Sequence, residues 1–232
     1  MKTSHDATPE TAPASSVASV IDQLRAMIVG RRLLPGVQIR QEEMAHVLGI
    51  SRVPLREALR VLTTEGLLTH RPHQGYFVTR LSALELNQIH SLLEFLETEL
   101  IRTIRWPTDD EVTRLRALNQ RIGRAAADGD LSLVTGLYLE LHITGIFQLS
   151  PLTLLLAEAQ RFWTMCAPYR IFHVAADGGP TSLEQHEQLI DALAAQDRAL
   201  CLRLHAQYRR ETHSLALAAL GDSDPLPPRL SH

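Results

Sequence analysis

Lysine, cysteine and long apolar runs are scarce in this sequence. Lys2 is the only lysine, so nearly all of the 23 basic residues are arginine. Cys166 and Cys201 are the only cysteines and have no paired spacing, which argues against a disulfide framework or a cysteine zinc site. No run of about 18 apolar residues occurs, so no segment is expected to span a membrane. The first 16 residues, MKTSHDATPETAPASS, lack an apolar stretch and read as a disordered arm, not a signal peptide. A reducing cytoplasm is the expected compartment. The net charge of −3 argues against a wholly basic nucleic-acid coat, but the charge is unevenly spread. Val17 to Arg80 holds 9 basic and 5 acidic residues, whereas Leu81 to Leu220 holds 12 and 17.

What is present is enough apolar sequence, 45% of 232 residues, for real cores in one large domain or two modest ones. The informative stretch is Arg40 to Leu68. Ala45 lies where a small side chain lets another helix cross closely, Gly49 suits a turn with positive φ, and Leu55 supplies a core plug. That spacing predicts two short helices joined by a tight turn. Ser51 is expected to cap the second helix, and Pro54 falls in its first turn. At about 100° per residue, Leu55, Ala58 and Leu62 share one side, while Arg52, Val53, Arg56 and Arg60 share another. Guanidinium groups on such a face suit guanine edges or phosphates in a major groove. A solvated arginine face on an ordinary helix is the bland alternative, and the complete two-helix pattern favours DNA.

Val17 to Gly30 is predicted helical, with Val17, Val20, Ile21, Leu24 and Ile28 at helical spacing. Leu67 to Thr69 and Tyr76 to Thr79 read as short strands joined by a loop bearing Arg71, His73, Gln74 and Gly75. This small wing suits DNA backbone or minor groove, and a plain polar hairpin reads equally well. Beyond Ser82 the strand signal disappears. Leu86, Ile89, Leu93, Leu96, Leu100 and Ile104 predict a long helix ending before Pro107. Further helices are expected near Asp109 to Ala127, Leu131 to Leu149, Pro151 to His173, Leu183 to Ala195 and Arg198 to Leu220. The expected fold is therefore mainly α: a winged helix-turn-helix over 17–80, an all-α bundle of about six helices over 81–220, and a flexible tail over 221–232.

Leu33, Leu34, Pro35, Gly36, the run LGISRVPLREA from Leu48 to Ala58, then Glu65, Gly66, Leu67 and Gly75 resemble the winged domain of GntR-type transcription regulators. The helical remainder, with Glu97 on its first helix and the pattern around His186, Asp191 and Asp197, resembles the FCD domain of the FadR subgroup. The resemblance implies a homodimer on a pseudo-palindromic operator of double-stranded DNA, responsive to a small-molecule effector such as an organic acid. It assigns Arg52 and Arg56 to the major groove, Arg60 to backbone and the His73 to Gly75 tip to the minor groove. Val53 stands where the family usually has Thr, and its methyl groups suit a thymine methyl.

Many FCD domains hold a divalent metal with one Asp and three His. The matching positions here are Tyr138, His142, His186 and Tyr208, with His205 one turn before the last. Half of that ligand set is tyrosine, a poor ligand at neutral pH, so a metal is not favoured. The alternatives are a metal-free pocket in which Tyr138, His142, His186, His205 and Tyr208 meet an organic effector, or a set of satisfied core polar groups. Leu93 replaces a family arginine, leaving Arg161 or Arg170 as replacement cations for an effector carboxylate. Two further readings are a metal-responsive regulator and a metal-assisted hydrolase using His142, His186 and Glu187 or Asp191. HEQLI lacks the second histidine of HExxH, and no serine elbow, phosphate loop or dinucleotide fingerprint is present. The chain is therefore not expected to be an enzyme.

Overall fold

The computed structural model describes the backbone of residues 16–177 and 180–221, and the side chains of 16–169, 181–218 and 220. The expected arm, apart from Ser16, and the tail beyond Gly221 lie outside the described residues, as do Gly178 and Gly179.

Helix α1 (Val17–Val29) starts where the Ser16 hydroxyl accepts from the Ser19 N–H, and it buries Val20, Leu24 and Ile28 along one face. β1 (Gln38–Ile39) leads into α2 (Gln41–Leu48) and α3 (Arg52–Thr64). Gly49 turns between the last two with φ 63°, the left-handed conformation that the two-helix spacing requires. Leu55, Ala58 and Leu62 are buried as predicted, together with Leu59. Fully burying such leucines contributes about 1.5–3 kcal/mol each relative to exposure. Ser51 occupies the capping position of α3, but its hydroxyl makes no capping hydrogen bond, so the predicted cap is positional only.

β2 (Leu68–Arg71) and β3 (Gly75–Val78) form the predicted hairpin, and each differs from expectation by one or two residues. The sequence offers no signal for β1, which has only two residues. It pairs antiparallel with β3 through Gln38 and Phe77, giving the order β1-β3-β2. The hairpin tip carries His73 at φ 61° and Gly75 at φ 91°.

The helical bundle comprises α4 (Ala83–Thr103), α5 (Asp109–Ala127), α6 (Leu131–Leu139), α7 (Thr153–Asp177), α8 (Pro180–Ala194) and α9 (Arg198–Gly221). Capping boxes from Ser82 and Glu85, and from Thr108 and Glu111, define the starts of α4 and α5. The predicted stripe from Leu86 to Ile104 is buried throughout. The single helix expected over Leu131 to Leu149 is not continuous. After α6 the backbone widens into a π-helical segment, Glu140–Ile146, and then tightens through Phe147–Leu149. Gly145 permits this path, because a Cβ there would lie 2.6 Å from Leu115 Cδ2 on α5.

The winged unit lies against the bundle at several points. Tyr169 on α7 accepts the Leu81 N–H at 2.8 Å, and the Ser132 hydroxyl on α6 donates to Ala26 O on α1 at 3.4 Å. Gly66 sits beside Met165 with φ 81°, where a Cβ would approach within 2.8 Å of the sulfur. No described helix is long and apolar enough to cross a membrane.

Candidate functional site

Two regions hold the candidate residues. The first is the outer face of α3. Arg52, Val53, Arg56 and Arg60 are all exposed there, and Val53 keeps 71% of its surface. Arg52 Nη2 lies 2.5 Å from Glu42 Oε1, and Arg60 Nη1 lies 3.2 Å from Glu57 Oε1. Arg56 has no ion-pair partner among the described residues. In the wing, the Arg71 guanidinium lies over the Phe77 ring at 4.4 Å. Gln38 Nε2 donates to the Gln74 carbonyl at 2.6 Å, tying β1 to the wing tip. His73, Gln74 and Gly75 thus project on the same hairpin, stiffened at its base and tip.

The second region lies inside the bundle. His142, from the π-helical segment, and His186, from α8, face each other with Nε2 atoms 3.2 Å apart, so one ring donates and the other accepts. Asn119 Oδ1 lies 3.2 Å from His186 Nδ1, while its amide donates to Leu183 O at 2.9 Å. Tyr208 stacks on His142 with ring centroids 5.3 Å apart, and Tyr138 meets His186 edge-on at 4.9 Å. The structure therefore brings together Tyr138, His142, His186 and Tyr208.

His205 is near but engaged elsewhere: its Nε2 lies 2.7 Å from Glu97 Oε2. Glu97 is fully buried and also accepts from Trp163 Nε1 at 2.5 Å and Arg209 Nη1 at 2.6 Å. Arg209, not one of the two arginines singled out from the sequence, is thus a buried cation of the bundle. Arg161 corrects expectation. It is exposed on α7, paired with Glu158 at 2.9 Å, and does not line the pocket. The Arg170 side chain lies outside the described residues.

A pocket of about 210 Å³ opens between α1 and the bundle. Tyr138, Trp163 and Tyr208 form its inner wall, and Asp22, Arg25, Ala26 and Val29 of α1 form the outer one. The three buried histidines stand behind those rings and do not line it. The involvement of α1 and Trp163 had no signal in the sequence.

The model for bacterial regulatory proteins of the gntR family matches residues 17–78, and the FCD domain model matches residues 88–211. The chain belongs to the GntR/FCD family. For several curated relatives the matched stretch spans about half of their length. The Nta operon transcriptional regulator of Aminobacter aminovorans is 42% identical over 91 residues, 39% of this chain and 43% of the relative. The HTH-type transcriptional regulator McbR of Escherichia coli (strain K12) is 23% identical over 184 residues, 77% of this chain and 82% of the relative. The solved structure of E. coli McbR/YncC has a TM-score of 0.72 at 19% identity, covering 88% of this chain and 97% of that one, which shows a shared fold.

The named relatives of this GntR/FCD chain are regulators, not enzymes. Both carboxylates considered for hydrolysis are held by one cation, since Arg116 pairs with Glu187 and with Asp191, the latter at 2.7 Å. The donor set also departs from the family's metal centre. Two imidazoles converge, but the remaining positions are phenols, and His205 is bound to Glu97. Among the described residues no group of three His, Cys, Asp or Glu is placed to hold an ion. The residues present therefore do not fit a divalent metal.

Proposed function

We propose that this chain is a DNA-binding transcription regulator that acts as a homodimer on a pseudo-palindromic operator and responds to a small organic acid. The observation that carries the reading is the exposed arginine face of α3 within a winged fold that abuts a pocket-bearing bundle. We assign 17–80 to DNA binding and 81–220 to effector binding and dimerisation. Arg52 and Arg56 read or clamp the major groove, Val53 touches a thymine methyl, and Arg60 reaches backbone. Arg71, His73, Gln74 and Gly75 serve the minor groove. Binding releases Arg52 from Glu42, exchanging an exposed carboxylate for phosphate or base.

One winged unit covers only a half-site, so two copies are needed. Leu84, Leu92 and Phe95, all exposed on α4, supply an apolar face suited to a second copy. The effector shifts the balance between arrangements of the paired winged units, and so changes operator affinity.

Selection from random duplexes with the full-length protein tests the reading. A palindrome should be enriched, and its affinity should fall linearly in log salt with a slope of about −0.9 per phosphate contact. Failure to enrich any sequence would sink the proposal. Tyr138→Phe should retain operator binding and blunt the effector response; an unaltered response would remove Tyr138 from a role in the pocket wall.

A further inference from the structure

We infer that the pocket between α1 and the bundle takes a small apolar carboxylate, anchored by Arg25, which exchanges Glu65 at the end of α3 for the ligand. The inference rests on the ligand-responsive reading above and adds to it an anchor and a physical route to the DNA-contacting helix.

Size and polarity define the ligand. A dry cavity of about 150 Å³ admits benzene, so about 210 Å³ accommodates a single ring or short branched chain with room for a head group. The wall is mostly apolar. Its threonines have already committed their donors within their own helices: Thr135 to Leu131 O, Thr164 to Gln160 O and Thr212 to Tyr208 O, each at 2.9 Å. Among the described lining residues Arg25 is the one cation, and Asp22 beside it is largely exposed to water. An apolar body with one negative group complements that lining.

Arg25 already holds a carboxylate, and that defines the route. Its Nη2 donates to Glu65 Oε1 at 2.8 Å and Oε2 at 3.0 Å, its Nε to Oε2 at 3.3 Å, and its Nη1 to Asp22 Oδ1 at 2.7 Å. Glu65 caps the C-terminal end of α3. The guanidinium thus ties α1 to the DNA-contacting helix through a forked pair. A ligand carboxylate presents the same two oxygens and competes for the same edge, while Glu65, partly exposed, passes to solvent. Filling the pocket therefore loosens α3 from α1 and also presses on α1 from the bundle side. By reciprocity, operator binding and ligand binding oppose each other.

The test uses the full-length protein carrying Trp106→Phe, which leaves Trp163, on the pocket wall, as its single tryptophan. Benzoate and its neutral isostere benzamide are titrated against Trp163 emission, with and without selected operator DNA. Benzoate should bind at least about tenfold more tightly than benzamide. Arg25→Gln should abolish that preference. Glu65→Gln, which removes the internal competitor, should tighten benzoate several-fold, and Ala26→Phe should block both probes. Saturating benzoate should change operator affinity at least about fivefold in the parent and not in Arg25→Gln. Equal affinity for the two probes, an Arg25→Gln titration like the parent's, or no Trp163 response up to about 10 mM overturns the inference. A palindrome enriched by the ligand-free protein leaves the regulator reading standing in that case, so the two failures are distinguishable.

Discussion

Replacing Glu97 by Gln should be among the most damaging single changes in the bundle. The carboxylate has no solvent exposure and accepts from Trp163, His205 and Arg209. Arg209 keeps only 6% of its surface, and its remaining described partners are His90 Nδ1 and the His90 carbonyl. The amide keeps one acceptor and nearly the same volume, so cavity formation is minor and the loss is electrostatic. A guanidinium is left in the core without its carboxylate. Breaking a buried pair from one side costs about 3–5 kcal/mol. At about 2–4 °C per kcal/mol for a chain of this size, the melting temperature should fall by about 6–20 °C. Thermal and urea unfolding followed by far-UV circular dichroism measure it. Glu97→Leu combined with Arg209→Met removes both charges and should recover more than half of the loss. A Glu97→Gln shift below about 1 kcal/mol would refute the reasoning, because the buried arginine would then need no anionic partner.

Arg56→Ala should weaken specific operator binding by about 1–3 kcal/mol if the side chain reads a base; an equal loss on random DNA would demote it to a phosphate contact. Gly66→Ala places a β-carbon at positive φ against Met165, so unfolding should show a loss of at least about 1–2 kcal/mol, which Met165→Ala relieves only in its steric part. Unchanged stability would mean that the junction of the winged unit and bundle gives way freely. Phe95→Glu should convert the proposed dimer to monomer in analytical ultracentrifugation, and an intact dimer would exclude the α4 face. Burial raises the Cys201 thiol to about 11, so it stays protonated through neutral and mildly alkaline pH. Since thiolate is the nucleophile, iodoacetamide should label Cys201 only after unfolding; rapid labelling of the native protein would contradict its burial.

The local design of the winged unit was legible in the sequence. Gly49, Leu55, Ala58 and Leu62 announce the turn and the buried side of α3 because both depend on residues within a few positions of one another. The bundle helices were legible for the same reason, through the stripe from Leu86 to Ile104 and through punctuation at Asp128 to Asp130. The π-helical widening at Glu140–Ile146 was not, since it answers to the approach of Leu115 at Gly145 from another helix. Nor was β1, two residues that become a strand only because β3 lies alongside them.

The sequence by itself thus determined most of the helices, the hairpin and the arginine face of α3. Tertiary structure decided which charges meet. Arg25 finds Glu65 across 40 positions, and Arg209 finds Glu97 across 112. Periodicity describes which way a side chain faces along its own helix and carries no information about the partner opposite. Only the packing of α1 on α3, and of α9 on α4, brings those groups within hydrogen-bonding distance, and only the seating of α1 against the bundle encloses the pocket between them.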